Sequence, residues 1–280
     1  MISALMATTA AACFGVANFL GGIASRKDAA LAVTANAHLV GAVLMAAGVL
    51  IWPAREFGMN DVVWGGVAGV TGGLAVVALY AGLALGRMGI VGPLTAAISA
   101  ALPALYDVAS GTQLRPVTGA GIALALLAVL VVSAGGDEES RAEMPLRAVL
   151  LSVAAGVGFS ATLLALSLTG EASGFVPLLC ARAVSATLLG GLSIVRSGHY
   201  LVDISARRPA FGSGMVDSVA NIALITALRT GPLAVVAVLG ALHPVVTMLL
   251  ARTFLGERLR GIQRIGVAVA LVAVVMTALP

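Results

Sequence analysis

Long apolar stretches separated by short polar breaks run along the whole chain. Each stretch holds about 20 residues, the length that an α-helix needs to cross the hydrocarbon core of a bilayer. None alternates apolar and polar positions as a membrane barrel strand would. The pattern therefore predicts an all-α polytopic membrane protein with ten transmembrane helices. The ten stretches are 3–22, 29–52, 62–85, 90–109, 116–134, 148–169, 174–196, 209–229, 233–254 and 261–279.

The two halves of the chain carry corresponding motifs. Pro103 in the first half answers Pro244 in the second, and Gly111 answers Gly256. Because each half holds five predicted helices, an odd number, the halves would enter the membrane in opposite orientations. Such inverted repeats place a binding site at their shared interface near the midplane. The predicted organisation is a first five-helix repeat at 1–136, a central acidic loop at 137–147 and a second five-helix repeat at 148–280.

The amino-acid composition is that of a protein whose surface faces lipid. The chain of 280 residues is 60% hydrophobic and only 10% charged, whereas soluble domains carry about 25% charged residues. The net charge of +4 is therefore no sign of a nucleic-acid partner. Cys13 and Cys180 both lie inside apolar runs and have no metal-binding spacing. We expect no nucleic acid, no metal and no cofactor.

Basic residues favour one set of loops, which predicts the orientation. Lys and Arg concentrate on the cytoplasmic side of membrane proteins. The odd-numbered loops should therefore be cytoplasmic, with both termini outside the cytoplasm. The twelve basic residues associated with odd loops are Arg26, Lys27, Arg87, Arg141, Arg147, Arg196, Arg207, Arg208, Arg252, Arg258, Arg260 and Arg264, and the three associated with even loops are Arg55, Arg115 and Arg229.

Ionisable side chains within the predicted helices are few and suggest a site. Arg182 lies centrally in helix 7, and Asp217 lies in helix 8 on the same face as Asn221. A charge at membrane depth needs a partner or a wet cavity. Arg182 could bind a substrate carboxylate, and Asp217 a substrate ammonium or a proton. Alternatively, the two could form a purely structural ion pair.

Two prolines predict broken helices that line a cavity. Proline removes a backbone N–H and clashes with the carbonyl four residues earlier, and backbone freed in this way is tolerated at membrane depth where it lines a cavity. Helix 9 holds His243-Pro244, and helix 4 holds Pro103 near Ser99 and Tyr106. These positions could also be ordinary packing sites. Further candidates for the cavity wall are Phe14, Asn18, His38, Tyr80 and Phe159. Gly65, Gly69 and Gly73 form a small-residue face on helix 3, suited to close helix packing.

The second half carries a family motif. The run Leu255-Gly256-Glu257-Arg258-Leu259, followed by Gln263 and Gly266, resembles the drug/metabolite transporter superfamily, specifically its EamA-type ten-helix carriers. The arginine of helix 7 fits that pattern. In length and helix count the chain is most similar to YddG-like bacterial amino-acid exporters. The first half departs from the motif, with Thr112 where the family has Glu.

The resemblance implies a transporter and not an enzyme. We expect a monomeric multi-pass protein of the bacterial inner membrane that exports small organic solutes, most specifically amino acids, by alternating access through a central cavity. Its partners would be a small-molecule substrate and the lipid bilayer. A multidrug or organic-cation exporter of the same fold is the alternative, although helix 1 lacks the carboxylate that small relatives of that type use. An intramembrane enzyme has little support, since no HExxH motif or paired helical aspartates occur.

Overall fold

The computed structural model describes residues 2–85, 88–111, 116–134 and 145–255, together with scattered positions between 261 and 276. Over these residues the chain is helical and contains no strand, which confirms the all-α prediction. The elements are α1 (Ile2–Ser25), α2 (Ala30–Ile51), α3 (Met59–Leu85), α4 (Met88–Ala109), α5 (Pro116–Ala134), α6 (Leu146–Ser167), a 3-10 turn (Glu171–Ser173), α7 (Val176–Ser197), α8 (Ile204–Thr230), α9 (Leu233–Gly240) and α10 (His243–Leu255).

Among the described residues, seven helical stretches are long and apolar enough to cross a membrane. They are α1, α2, α3 to residue 83, α6, α7, α8, and the stretch 233–254 that contains both α9 and α10. Helices α4 and α5 coincide with the predicted stretches 90–109 and 116–134 within two residues. The central loop from 137 to 144, the turn at 256–260 and most of the tenth predicted helix, 261–279, lie outside the described residues.

The helices pack mainly across the two halves of the chain. Helix α1 runs along α8, and α3 runs along α6. In the same way α2 contacts α8, α3 contacts α7, α1 contacts α9 and α10, and α4 contacts α6. Helices α2 and α7 pack against each other at the centre. The space between these helices is thus enclosed by both halves together.

The glycine face of α3, for which the sequence predicts close helix packing, lies against α7. A Cβ on Gly65 would lie 2.7 Å from the carbonyl oxygen of Pro177, and one on Gly69 would lie 2.9 Å from the Cα of Ala181. A Cβ on Gly73 would collide with the hydroxyl of Ser185. The two backbones can approach this closely only because these positions have no side chain. The contact fixes the part of α7 that carries Arg182.

The helix break expected at Pro244 is present, and the one expected at Pro103 is not. Helix α9 ends at Gly240, and α10 begins at His243 after a two-residue turn. Helix α4 continues through Pro103 to Ala109. The hydroxyl of Ser160 on α6 donates to the carbonyl of Gly156 on its own helix at 2.9 Å. It also lies 3.3 Å from the carbonyl oxygen of Ile98 and 3.5 Å from that of Ser99, the carbonyl that Pro103 leaves without its usual donor. Neighbouring hydroxyls of this kind allow a helix to stay continuous through proline.

Candidate functional site

A cavity of about 110 Å³ lies at the middle of the helix bundle. Its wall draws on α1, α2, α3, α4, α6, α7, α8, α9 and α10. Nine side chains that the sequence singled out line it: Phe14, Asn18, His38, Ser99, Phe159, Arg182, Asp217, Asn221 and His243. Residues far apart in the sequence therefore meet in one enclosed space.

The polar centre of the cavity is an ion pair between α7 and α8. Arg182 Nη2 lies 2.5 Å from Asp217 Oδ2, and the two side chains are 10% and 16% exposed. The Asn221 side-chain amide donates to the same carboxylate oxygen at 3.3 Å and to the Asp217 carbonyl at 2.7 Å. Each charge thus has its counter-charge at membrane depth, where a lone charge costs about 3 kcal/mol on insertion scales.

The aliphatic part of Arg182 lies against a glycine of α2. A Cβ on Gly41 would be 3.1 Å from Arg182 Cδ, so a larger residue there would push the arginine aside. One turn away, His38 Nδ1 lies 2.5 Å from the hydroxyl of Ser185 on α7. Both His38 and Ser185 are almost fully buried. Arg182 is therefore positioned in two ways where α2 crosses α7. Its aliphatic part packs against Gly41, and the His38–Ser185 hydrogen bond holds the two helices together next to it.

A second polar pair ties α1 to the start of α10. The amide nitrogen of Asn18 lies 3.2 Å from Nδ1 of His243. An amide NH₂ can only donate, so with this orientation Nδ1 accepts and the ring is neutral with its proton on Nε2. The Thr247 hydroxyl lies 3.0 Å from the carbonyl oxygen of Gly15 on the same two helices.

The break between α9 and α10 leaves backbone acceptors beside the cavity. Pro244 has no N–H to offer the carbonyl of Gly240, and the N–H of Val245 donates to Leu242 at 3.0 Å. The Leu242 N–H in turn bonds the carbonyl of Leu239 at 3.1 Å. Gly240 and Ala241 both line the cavity. A polar solute there could satisfy carbonyls that a continuous helix would have used itself.

Two aromatic residues predicted to line the cavity lie elsewhere. Tyr80 is 3% exposed and packs against Gly21 of α1, with its hydroxyl 3.5 Å from that of Ser213 on α8. Tyr106, near the end of α4, is 49% exposed. Tyr80 therefore joins three helices outside the cavity wall, and Tyr106 faces outward.

Hydroxyl groups of the wall were missed from the sequence. Ser185 and Thr162 both line the cavity, and Thr162 lies 2.9 Å from the hydroxyl of Thr71. Ser185 could have been found, because it is three residues after Arg182 and so shares its helical face. Thr162 carries no such signal. Within the part of the chain described, no cluster of three or more His, Cys, Asp or Glu side chains is placed to hold a metal ion.

Comparison with known proteins supports the family resemblance for the second half. Residues 146–279 match the EamA-like transporter family. This match supports the resemblance to the drug/metabolite transporter superfamily. A solved structure, described only as the crystal structure of a protein, shares the fold with a TM-score of 0.77 and 19% identity. The alignment covers 99% of this chain and 96% of that one. No curated protein matches the chain.

Proposed function

We propose that the chain is a membrane transporter of small organic solutes, and that amino acids are its substrates. The family matched by the second half consists of transporters. The observation that carries the finer proposal is the Arg182–Asp217 pair on the cavity wall, surrounded by neutral polar groups. A site with one guanidinium and one carboxylate is complementary to a zwitterion, which carries one carboxylate and one ammonium group.

Binding exchanges one ion pair for two. The substrate carboxylate takes the place of Asp217 at the Arg182 guanidinium, where it can be held by two parallel hydrogen bonds. The released Asp217 carboxylate, still oriented by Asn221, accepts the substrate ammonium. The cavity is electrically balanced before and after this exchange. A solute of net charge would leave one buried group without a counter-charge, at a cost of several kcal/mol.

Alternating access fits the way the helices group. Helices α1, α2, α8, α9 and α10 form one connected group, and α3, α4, α5, α6 and α7 form another. The two groups meet mainly where α2 packs against α7 and where α4 packs against α9. Most contacts within one group have a counterpart in the other with the two halves exchanged, as expected for two inverted five-helix repeats. The Arg182–Asp217 pair joins one group to the other, as does the His38–Ser185 bond. Rocking of the groups about the α2–α7 crossing would then open the cavity to either side.

The proposal includes the orientation of the protein in the membrane, its oligomeric state and the direction of transport. The excess of Lys and Arg in the odd loops puts those loops in the cytoplasm and both termini outside. We place the protein in a bacterial inner membrane as a monomer, because one copy encloses a complete cavity. Export out of the cytoplasm follows the resemblance to amino-acid exporters.

An organic-cation exporter is the second candidate. Asp217 shares the cavity with the rings of Phe14 and Phe159, and a carboxylate with aromatic faces can hold a cation. The guanidinium of Arg182 opposes this, because it already occupies the carboxylate and repels a second positive charge.

Counterflow in liposomes tests the proposal and separates binding from structure. We expect the purified protein to exchange labelled amino acids, and Arg182→Gln to lower the rate about 100-fold, equivalent to roughly 3 kcal/mol for a buried charge that loses its partner. The matched control is the Arg182→Gln, Asp217→Asn double variant, which leaves no buried charge unpaired.

The double variant decides between the two roles of the pair. If the pair binds substrate, the double variant is as stable as the parent and still inactive. Recovery of transport in the double variant would show that the pair is only structural. Failure of the parent to move any amino acid would overturn the substrate class, and faster efflux of organic cations by Arg182→Gln would favour the alternative.

A further inference from the structure

A second concave surface lies away from the transport cavity, between α2 and α8. It encloses about 1,010 Å³ and is bordered at one end by the loops 52–55 and 171–175. Its walls are largely apolar, and several of their side chains, including Ile51, Met215 and Val219, are more than half exposed. The residues used below are Leu44, Trp52, Arg55, Glu171, Met215 and Thr226, all of which line this α2–α8 groove.

The length of the groove corresponds to one leaflet. Residues 44–52 of α2 span about 12 Å and residues 215–226 of α8 about 17 Å, at about 1.5 Å per residue. One leaflet contributes about half of a hydrocarbon core roughly 30 Å thick. The apolar part of the groove is therefore long enough to hold the part of an acyl chain that lies within one leaflet.

The loop end of the groove carries an exposed tryptophan and two exposed side chains of opposite charge. Trp52 is 65% exposed there, where tryptophan prefers to lie in membrane proteins. The backbone N–H of Arg55 donates to the carbonyl of Ala172 at 3.1 Å, which brings the exposed Arg55 next to the exposed Glu171. Within the described residues neither side chain forms an ion pair within 4.0 Å, although the Glu171 carboxylate also interacts electrostatically with the Arg229 guanidinium.

The other arginine at this end has a structural task. The Arg229 guanidinium donates to the carbonyl oxygen of Gly174 at 2.7 Å and lies 3.2 Å from the hydroxyl of Ser173. Nearby, the Asp61 carboxylate accepts the backbone N–H of Gly170 at 2.7 Å and that of Gly58 at 2.9 Å. These bonds fix the two loops, and so fix the positions from which Arg55 and Glu171 extend.

We propose that the α2–α8 groove binds a phospholipid of the adjoining leaflet, with one acyl chain between the helices and a zwitterionic head group at the loops. The phosphate lies beside Arg55 and the ammonium beside Glu171. A purely anionic head group would meet the Glu171 carboxylate, so an ethanolamine phospholipid suits this end better than a glycerol phospholipid. The site is independent of what the central cavity transports.

The bound chain would also reach the level of the ion pair. Ser218 lines the groove, while its neighbour Asp217 lines the transport cavity. The acyl chain therefore packs against the outer face of α8 where its inner face carries the charge. Occupancy of the groove should stabilise this part of α8 against outward movement.

Native mass spectrometry of the full-length protein with defined lipids tests the site. We expect phosphatidylethanolamine to be retained at least tenfold more strongly than phosphatidylglycerol with the same acyl chains. Arg55→Gln should lower that retention about tenfold, and Thr226→Trp should abolish it by filling the groove. The matched controls are Arg196→Gln and Leu150→Trp, exposed residues outside the groove.

A second measurement uses the unaltered chain and does not depend on variants that fold. A photoactivatable group on the acyl chain should label residues 44–52 and 215–226. Equal retention of the two lipids, equal retention by Thr226→Trp and its control, or labelling spread evenly over exposed helices would each overturn the site. A dimer that Thr226→Trp dissociates would show instead that a second copy covers the groove.

Discussion

The two prolines that were predicted to break cavity-lining helices, Pro103 and Pro244, have different effects. Both Pro103 and Pro244 follow at least eight residues of apolar helix, and both deprive the carbonyl four residues earlier of its donor. Yet α4 continues through Pro103, whereas the chain breaks between α9 and α10 just before Pro244. The proline alone therefore does not decide whether a membrane helix breaks.

The difference lies in the residues around each proline. The carbonyl affected by Pro103 belongs to Ser99 and has the Ser160 hydroxyl 3.5 Å away. The one affected by Pro244 belongs to Gly240, and glycine costs a helix about 1 kcal/mol relative to alanine. The Ser160 hydroxyl donates to Gly156 at 2.9 Å and can share its proton with the Ser99 carbonyl. Helix α4 thus has a shared donor at this carbonyl and no glycine there, whereas the 233–254 stretch has a glycine at the corresponding position.

Close glycine contacts on each helix should give the largest effects. A Cβ on Gly156 would lie 2.6 Å from Ile98 Cβ on α4, and one on Gly15 would lie 2.5 Å from Val246 Cβ and 2.8 Å from the His243 carbonyl oxygen on α10. We expect Gly156→Ala and Gly15→Ala each to lower the free energy of unfolding by about 2–3 kcal/mol, the upper range for overpacking.

Gly119→Ala is the control for that comparison, because no atom of the described residues lies within 4 Å of its Cβ position. Reversible unfolding in mixed micelles measures all three variants. If Gly15→Ala cost no more than the control while Gly156→Ala cost the expected amount, the break would be absorbing the added methyl group, and the contact at α10 would be softer than that at α4.

Structural features could be predicted from the sequence where a local pattern is compatible with only one structure. The apolar stretches predict the helices, and the small-residue spacing of α3 predicts a closely packed face, although not that α7 is its partner. Arg182 and Asp217 could be found because charges at membrane depth need partners. Ser160 could not be recognised as the substitute donor for Ser99, since that role requires α6 to lie against α4. Tyr80 was misplaced for the same reason, because an aromatic residue on a helix has no fixed side until its neighbours are known.

The next effect concerns transport more than stability. Pro244→Ala restores an N–H for the Gly240 carbonyl and allows α9 and α10 to join, which removes acceptors from the cavity wall. We expect this variant to lower amino-acid counterflow about tenfold, equivalent to roughly 1.4 kcal/mol, without loss of stability. Pro103→Ala, in a helix that is already continuous, should change the rate less than twofold. Equal loss of transport in both variants would remove the distinction between the two helices.

The smallest effect tests why α4 stays continuous. Ser160→Ala should lower the free energy of unfolding by about 0.6 kcal/mol, the average for side-chain hydrogen bonds between membrane helices. In a Pro103→Ala background the cost should be smaller, because the N–H of the new alanine bonds the Ser99 carbonyl itself and leaves the Ser160 hydroxyl only its bonds to Gly156 and Ile98. Ser167→Ala provides the control, since among the described residues that hydroxyl bonds the carbonyl of Leu164 on its own helix at 2.8 Å and no group on another helix. If Ser160→Ala costs the same with and without Pro103, the hydroxyl does not replace the missing donor, and α4 continues through its proline for another reason.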